Sequence, residues 1–377
     1  MASVLLSRQI CQSLVLGTKN VSVMAGGTAD PLVQRLLKGL REGHRASLAE
    51  SITLVETTHS RKKLQAKQLI TEVLKDAKNL YYAHGTKALS YRLGLSGPPG
   101  AGKSTFIESF GKFLTAQGHK VAVLAVDPSS VTSGGSILGD KTRMNELSRD
   151  MNAYIRASPS RGHLGGVTRS TNEAIVLCEA AGFDIIIVET IGVGQSEYSV
   201  ADMVDLFALI IPPGGGDELQ GLKRGIMEMS QLIVVNKSDG DLIPAARRMQ
   251  YEYISALKYI RPRSKHWSTP VKRISSVTGE GIPELWQLMQ MYKKSMEDCG
   301  EFLTRRRSQR QTWLWTYLKD SLISAFINAP GLRETINQIE DKVMDGVISP
   351  GDAADILIRQ HIDSLKIEIA NSHLKAK

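Results

Sequence analysis

The chain has 377 residues, 42% of them hydrophobic and 23% charged, and a formal net charge of +9. This balance excludes an intrinsically disordered chain and leaves enough apolar surface for two or three folded domains. No apolar run is long enough to span a membrane, and no basic cluster accompanies a nucleic-acid-reading motif, so we expect neither a membrane span nor nucleic-acid binding. The three cysteines lie far apart in the sequence, which indicates a reducing compartment and neither a disulfide framework nor a zinc site.

The first part of the chain divides into two segments. Residues 1–29 carry Arg8, Lys19 and several serines among apolar residues, without an acidic residue. This pattern is typical of a mitochondrial transit peptide and predicts a location in the mitochondrial matrix, with an ordinary N-terminal segment as the alternative. Residues 30–85 repeat apolar side chains at helical spacing, which predicts a helical N-terminal extension.

Residues 86–290 alternate short β-rich runs with helices, which predicts an α/β fold with a doubly wound, mostly parallel sheet. Residues 291–377 show only helical patterns and are interpreted as a C-terminal helical dimerisation region, with a packed subdomain as the alternative. Within them, Arg305–Arg307 with Arg310 is interpreted as a solvated helix face beside a buried aromatic seam, rather than as an anion-docking patch. The predicted strands are 91–96, 120–126, 184–189, 205–211, 231–236 and 271–276.

A phosphate-binding loop lies between the predicted strand 91–96 and a helix predicted to begin at Thr105. Its glycines let successive backbone N–H groups converge on phosphate oxygens, and the helix N-terminus adds a favourable dipole. Lys103 is expected to reach the β- and γ-phosphates, and the Ser104 hydroxyl to bind Mg²⁺. The sequence therefore predicts binding of a nucleoside triphosphate. The nucleotide-binding residues of this segment are Gly97, Pro98, Pro99, Gly100, Ala101, Gly102, Lys103, Ser104 and Thr105.

A second motif, Asn236-Lys237-Ser238-Asp239, ends a predicted strand and resembles the guanine-specificity motif of G proteins. The Asp239 carboxylate can accept from guanine N1–H and from its exocyclic amine, a pair that adenine does not offer. Lys237 would pack its stem over the base, and Asn236 would brace neighbouring loops. Because a buried acceptor without a donor weakens binding, we expect GTP to be preferred over ATP. A downstream segment resembles the last base-contacting loop of G proteins, and its residues are Ser275, Ser276 and Val277.

Three acidic residues are candidates for the metal and hydrolysis site. Glu189 ends a predicted strand where small GTPases carry the acidic residue that holds Mg²⁺ through water. Asp127 ends the strand after the phosphate-loop helix, as does a metal-facing residue in the signal-recognition-particle branch of GTPases, with a turn or helix-cap carboxylate as the alternative. Asp140 lies in a glycine-rich segment interpreted as a mobile switch loop, or else caps the next helix. We predict Lys103, Asp127, Asp140 and Glu189 as catalytic residues, and Ser104, Asp127, Asp140 and Glu189 as Mg²⁺ ligands.

Two further segments are interpreted as switches. Gly192, close behind Glu189, would contact the γ-phosphate. A second glycine-rich loop, residues 212–225, is too long for a simple turn and is interpreted as an effector-facing switch. The predicted switch residues are Gly192, Asp217, Glu218, Gln220 and Lys223.

The run from Gly97 to Gly281, taken with residues 165–169 and 189–197, closely resembles the MeaB/ArgK family of SIMIBI-class P-loop GTPases, which includes the mitochondrial methylmalonic aciduria type A proteins. The resemblance implies homodimers that use GTP, GDP and Mg²⁺. It also implies a chaperone of adenosylcobalamin-dependent methylmalonyl-CoA mutase that gates cofactor loading and reactivation, with cobalamin adenosyltransferase as a further partner. Residues 214–223 correspond to the family's third switch. At Val277, where relatives carry a basic residue, the resemblance implies only a backbone contact.

Three other functions stay open at this point. A metal-delivery GTPase of the nickel-insertion kind would need His/Cys clusters with ligand spacing, whereas the eight histidines are scattered along the chain. A protein phosphotransferase is compatible with the phosphate-binding loop, although the guanine motif argues against an ATP-using kinase. A nucleotide-gated scaffold would need the same loops but no hydrolysis.

Overall fold

The computed structural model describes residues 30–57, 59–127, 144–159, 164–190, 196–214, 224–329 and 331–361. Within these ranges the chain forms a seven-stranded, wholly parallel sheet. The strands are β1 (Tyr91–Ser96), β2 (Val121–Asp127), β3 (Ala153–Pro159), β4 (Ile185–Thr190), β5 (Leu206–Ile211), β6 (Leu232–Val235) and β7 (Val271–Arg273). Their spatial order is β3-β2-β4-β1-β5-β6-β7. The predicted α/β fold is confirmed.

Strand β3 is missing from the predicted strands, whereas the other six lie within a few residues of their predicted bounds. It is an edge strand that pairs with β2, from Val121 opposite Ala153 onward. Its centre carries Arg156, whose guanidinium lies 2.5 Å from the carboxylate of Glu56. An edge strand with a charged centre lacks the continuous apolar run that marks a strand buried on both faces.

Helices cover both faces of the sheet. The first of them is capped by Asp30, whose carboxylate accepts from the Leu32 N–H at 2.9 Å, with proline at the first helical position. The helices are α1 (Pro31–Arg41), α2 (Arg45–Val55), α3 (Ser60–His84), α4 (Lys103–Ala116), α5 (Leu164–Ala180), α6 (Ser196–Ala201), α7 (Arg224–Met229), α8 (Ile243–Leu257), α9 (Ile282–Asp298), α10 (Glu301–Ile327), α11 (Leu332–Met344) and α12 (350–361).

Each face of the sheet has its own apolar core. In β4, Ile186 and Val188 join the core beneath the N-terminal helices and α5, whereas Ile185 and Ile187 join the core beneath α4 and α9. Because both faces are covered, the central strands read as continuous apolar runs instead of alternating patterns. This is the physical reason that their existence was predictable from the sequence.

The predicted domain boundaries stay predictions. Helices α1 to α3 lie within the predicted N-terminal extension and pack on α5, whereas the predicted boundary at residue 290 falls inside α9. Among the helices of the described residues, none combines the length and the apolar character needed to cross a bilayer.

Helix α10 closes the amino end of the sheet through a network of buried charges. Arg306 is 3% exposed and donates to the two carboxylate oxygens of Asp205 at 2.8 and 2.6 Å. Arg92 of β1 donates to both carboxylate oxygens of Glu179 at 2.9 Å, and Arg306 lies 3.5 Å from the same carboxylate. Burial alone would raise the pKa of Glu179, but the charges of Arg92 and Arg306 lower it to about 2.

The interpretation of the arginine run as a solvated face is therefore wrong for Arg306. Arg307 and Arg310 are exposed, whereas Arg306 shares its helix face with the buried residues Phe302 and Gln309. Residues spaced by three or four positions lie on one side of a helix, and here that side faces the sheet. The carboxylates of Asp205 and Glu179 and the carbonyl oxygen of Ser90, all remote in sequence, make this burial possible.

Candidate nucleotide-binding site

The phosphate-binding loop connects the carboxyl end of β1 to α4, which begins at Lys103, slightly before its predicted start. Gly97 has no room for a side chain, because a Cβ atom there would lie 1.9 Å from the backbone oxygen of Ile210 in β5. Gly102 caps α4 with a φ of 85°, a left-handed conformation that favours glycine. The loop therefore packs closely against the carboxyl end of β5, and the amino end of α4 follows it directly.

The side chain of Lys103 folds back over this loop. Its ammonium donates to the carbonyl oxygen of Gly97 at 2.7 Å and to that of Pro98 at 3.3 Å. Burial lowers the pKa of Lys103, and the charges of Glu189 and Glu197 oppose this shift. A cation held above converging backbone N–H groups suits the binding of phosphate oxygens.

Glu189 and Ser104 meet beside the loop. Glu189 is 3% exposed near the end of β4, and the Ser104 hydroxyl donates to its carboxylate at 3.4 Å. On the next strand, Val126 lies opposite Thr190, so the backbone of Asp127 reaches the same edge of the sheet. Hydroxyl and carboxylate oxygens are the ligands that Mg²⁺ prefers, and the donor set present here fits that ion.

Glu197 is a buried carboxylate at this site that the sequence reasoning assigned to no role. It lies in the first turn of α6 and accepts a hydrogen bond from the Ser96 hydroxyl, at the end of β1, at 3.0 Å. Its charge acts on Lys103. The sequence offered one signal for this role: Glu197 is an acidic residue that follows shortly after the buried strand ending near Glu189.

Asn236 joins the phosphate-binding loop to the base-recognition segments. Its side-chain amide donates to the carbonyl oxygen of Ala101 at 3.0 Å and, at 3.4 Å, to that of Gly102. Its side-chain oxygen accepts from the backbone N–H of Ser276 at 3.2 Å and from the Ser276 hydroxyl at 2.7 Å. These four bonds match the bracing predicted for Asn236.

Asp239 is held at the same edge by the downstream loop. The Ser275 hydroxyl donates to its carboxylate at 2.5 Å and accepts from the backbone N–H of Thr278 at 3.1 Å. Lys237 has a φ of 56°, a left-handed conformation that is uncommon outside glycine and marks a tightly specified turn. The side chain of Val277 is 78% exposed. The carboxylate of Asp239 is thus fixed in orientation while one of its oxygens stays available to a further donor.

Several predicted site residues lie wholly or partly outside the described residues, and their roles stay predictions. Asp127 ends β2, but its side chain lies outside the described part of the chain. The remaining predicted metal and switch residues that lie outside the described residues are Asp140, Gly192, Asp217, Glu218, Gln220 and Lys223.

Comparisons with known proteins agree with this site. The family model described as methylmalonyl Co-A mutase-associated GTPase MeaB matches residues 48–331. The chain is 58% identical over 327 residues to the mouse methylmalonic aciduria type A homolog, mitochondrial, with 87% of this chain and 79% of the mouse protein covered. It is 44% identical over 288 residues to GTPase ArgK of Escherichia coli, with 76% of this chain and 84% of that protein covered.

The solved structures include a close relative of the fold. The crystal structure of an LAO/AO transport system kinase matches with a TM-score of 0.67 and 33% sequence identity, over 89% of this chain and 99% of that one. The match to the family model spans both the phosphate-binding loop and the motif from Asn236 to Asp239. The chain therefore belongs to the MeaB family of methylmalonyl-CoA mutase-associated GTPases, and it is a GTPase that binds guanine nucleotide.

Proposed function

We propose that this GTPase is a chaperone of adenosylcobalamin-dependent methylmalonyl-CoA mutase, which gates the loading of the cofactor and the reactivation of the enzyme. The observation that carries the proposal is the match of residues 48–331 to the mutase-associated GTPases. Cobalamin adenosyltransferase, which would supply the adenosylated cofactor, is proposed as a second partner.

The nucleotide contacts follow from the chemistry of the site. Lys103 neutralises charge on the β- and γ-phosphates, and its low exposure strengthens that interaction. Asp239 accepts from the N1–H and exocyclic amine of guanine, while Ser275 keeps its carboxylate oriented. Asn236 links the phosphate-binding loop to the loop that contacts the base, through its bonds to Ala101 and Ser276.

A magnesium ion is proposed beside the phosphates. A bound Mg²⁺ would offset the negative charge of the phosphates during hydrolysis. Ser104 and Glu189 would hold it, supported by their mutual contact at 3.4 Å, with Asp127 and Asp140 as further ligands. Oxygen donors from a hydroxyl and carboxylates fit this hard cation better than they fit a soft one.

The coupling to a partner is proposed to run through the switch segments. Gly192 lies between Glu189 and Glu197, and Glu197 contacts β1 through Ser96. A partner that contacts this segment would therefore change the charge around Lys103 and the rate of hydrolysis. Residues Asp217, Glu218, Gln220 and Lys223 are proposed to form the second partner-facing switch.

A second copy of the chain is proposed to pack on α10. Within the described residues, this helix exposes apolar side chains in two adjacent rows, and such a face is typical of a protein interface. Sedimentation should show a dimer that a Leu318→Arg, Leu322→Arg double variant dissociates and a Lys319→Ala variant does not. A dimer that survives the double variant would contradict this assignment. The exposed apolar residues are Leu314, Trp315, Leu318, Leu322, Ile323 and Ile327.

A mitochondrial matrix location is proposed, with residues 1–29 as a transit peptide. The support is the composition of that segment and the names of relatives in mouse and Caenorhabditis elegans, both described as mitochondrial. Import into isolated mitochondria should require residues 1–29. Import of a chain that lacks them would contradict the transit-peptide assignment.

The deciding experiment is single-turnover hydrolysis of GTP and ATP by the purified chain, with and without methylmalonyl-CoA mutase. We expect a preference for GTP of at least about 100-fold, because ATP leaves Asp239 without two donors and each bond to a charged group contributes about 1.5–3 kcal/mol. We also expect the mutase to raise the rate of GTP hydrolysis.

The outcomes separate the two parts of the proposal. If turnover is selective for GTP but indifferent to the mutase, the chaperone assignment fails while the GTPase stands. If the γ-phosphate appears on a protein instead of in solution, a phosphotransferase is favoured. A Lys103→Ala variant, which should lose hydrolysis in every arm, shows that the signal belongs to this chain.

A further inference from the structure

Three metal-ligating side chains meet at the opposite end of the sheet from the nucleotide site. They are His266, in the segment between α8 and β7, Cys299, which caps the C-terminus of α9, and Glu301, the first residue of α10. One ligand atom from each lies within 4.8 Å of the other two. Sequence spacing does not reveal this cluster, because His266 comes from a different part of the chain.

The backbone at the corner between α9 and α10 places two of these side chains. Gly300 has a φ of 79°, a left-handed turn that lets α10 begin directly after α9 ends. Cys299 and Glu301 therefore flank one sharp turn. The Cys299 thiol donates a weak hydrogen bond to the carbonyl oxygen of Met296 at 3.6 Å, and the side chain packs against the edge of the core beneath α4 and α9.

The third ligand is positioned by the segment before β7. The Ser295 hydroxyl of α9 donates to the carbonyl oxygen of His266 at 3.3 Å. The neighbouring Trp267 is fixed by its indole N–H, which donates to the backbone oxygen of Gln231 at 2.8 Å, and by an edge contact with Tyr292. The backbone of His266 is thus held on both sides while its exposed ring faces Glu301, with Nε2 and the carboxylate 3.9 Å apart.

We propose that His266, Cys299 and Glu301 form a Zn²⁺ site with one solvent ligand, which links the segment before β7 to the α9–α10 corner. Nitrogen, thiolate and carboxylate are the three kinds of ligand that zinc takes in proteins. Ligands of a tetrahedral zinc lie about 3.3–3.8 Å apart, given bond lengths of about 2.0–2.3 Å. The three ligand atoms, now within 4.8 Å of one another, would need to approach by at most about 1.5 Å to bind the ion.

The chemistry distinguishes this site from the proposed Mg²⁺ site. A thiolate and an imidazole are poor ligands for Mg²⁺ and Ca²⁺, which prefer oxygen donors, whereas they suit Zn²⁺ and Co²⁺. An ion pair between His266 and Glu301 explains two of the three side chains only, and at 3.9 Å between exposed groups it contributes little stability. The thiol of Cys299 has no part in that pair.

The test is a titration of the full chain with Co²⁺ and then Zn²⁺, under excess Mg²⁺ and GDP so that the nucleotide site is filled. For this titration Cys11 is replaced in a Cys11→Ser variant. Because Cys178 is buried, Cys299 is then the accessible thiol. We expect one Co²⁺ per chain with a thiolate-to-cobalt charge-transfer band, and displacement of cobalt by Zn²⁺. The absence of the band would overturn the proposal.

Variants assign the ligands. Cys299→Ser should abolish the charge-transfer band, and His266→Ala and Glu301→Gln should each weaken binding by at least about tenfold, since loss even of supporting groups around a metal costs about 10–100-fold. His44→Ala, an exposed histidine far from the cluster, should leave binding unchanged. A band that persists in Cys299→Ser, or equal binding by His266→Ala and His44→Ala, would also refute the site.

A second readout separates lost binding from misfolding. Saturating Zn²⁺ should raise the thermal unfolding midpoint of the unsubstituted chain and leave that of Cys299→Ser unchanged, because only a ligand bound to the folded state stabilises it. The GTP hydrolysis rate should be the same for both proteins before zinc is added. A zinc-induced shift of the same size in both proteins would place the metal elsewhere.

Discussion

The two ends of the parallel sheet hold their charges in different ways. At the amino end, Arg306, Arg92, Asp205 and Glu179 bind one another directly, with charge-assisted bonds of 2.6–2.9 Å. At the carboxyl end, within the described residues, Lys103 donates to backbone carbonyl oxygens and makes no ion pair.

The difference separates structural charges from charges prepared for a ligand. A buried charge needs a partner, and at the amino end the protein supplies it from α5, α10 and the strands. At the carboxyl end, a backbone carbonyl is a weaker partner that a triphosphate can replace. The comparison predicts that substitutions at the amino end change stability, whereas those at the carboxyl end change nucleotide binding and turnover.

The largest effect is expected from Arg306→Leu. This change leaves the buried carboxylate of Asp205 without its guanidinium partner and Glu179 with Arg92 alone, and removal of one partner from a buried pair costs about 3–5 kcal/mol of unfolding free energy. Urea unfolding, followed by circular dichroism at one protein concentration, measures the change. The matched control is Arg307→Leu, an exposed neighbour that should cost less than about 0.5 kcal/mol. Equal urea unfolding midpoints for Arg306→Leu and Arg307→Leu would contradict the structural role assigned to the charges at the amino end of the sheet.

Next in size is the loss of hydrolysis in Lys103→Ala. Removing a preorganised group that stabilises transition-state charge costs about 100–1,000-fold in rate, so single-turnover GTP hydrolysis should fall by that factor. The unfolding midpoint without nucleotide should fall by less than in Arg306→Leu, because the lost bonds go to backbone carbonyl oxygens and leave no buried carboxylate without its cation. Lys112→Ala, on the exposed side of the same helix, should keep its rate within about twofold. A large loss of stability in Lys103→Ala, with turnover retained, would contradict the comparison.

A smaller effect is expected from Asp239→Asn. The asparagine amide keeps the shape of the carboxylate but places an NH₂ group opposite one of the N–H donors of guanine. The affinity for GDP should therefore fall by about 10–100-fold, in line with about 1.5–3 kcal/mol for a bond to a charged group. Binding of a fluorescent GDP analogue measures it. Asp241→Asn, which is exposed nearby, serves as the control. Unchanged affinity in Asp239→Asn would exclude Asp239 from base recognition.

The smallest expected effect is a pH dependence at the amino end. The folded-state pKa of Glu179 is about 2, below its ordinary value of 4.5, so its contribution to stability is complete above about pH 4.5 and is lost as the pH falls toward 2. The difference in unfolding free energy between the unsubstituted chain and Glu179→Gln should therefore stay constant above about pH 4.5 and narrow as the pH falls from there toward about 2. Glu50→Gln, in an exposed ion pair, should show a constant small difference. A constant gap for Glu179→Gln would show that Arg92 and Arg306 do not lower this pKa.

Most of the fold was predictable because its central strands are buried on both faces. Strand β5 is apolar throughout and β4 over its first four residues, and a helix follows each of them farther along the chain. The edge strand β3 escaped prediction because Arg156 interrupts it. Pairing with β2 stabilises this segment, and that pairing cannot be read from the segment itself.

The candidate site shows the same division. The phosphate-binding loop and the motif from Asn236 to Asp239 were visible because each is a short continuous segment with fixed spacing. The role of Glu197 was hidden, since it depends on the distance to Ser96 and to Lys103. Asn236 was expected to brace loops, and the structure adds which atoms it joins.

By itself, the sequence determined the parallel α/β fold, the phosphate-binding loop and the motif from Asn236 to Asp239, because local spacing and strand apolarity carry those features. Only the tertiary structure decided that Arg306 is buried and that His266 meets Cys299 and Glu301. These features depend on side chains from distant segments that come within bonding distance when the helices pack on the sheet. An arginine or a histidine is polar in any sequence pattern, and its partners alone decide whether it faces water, a carboxylate or a metal.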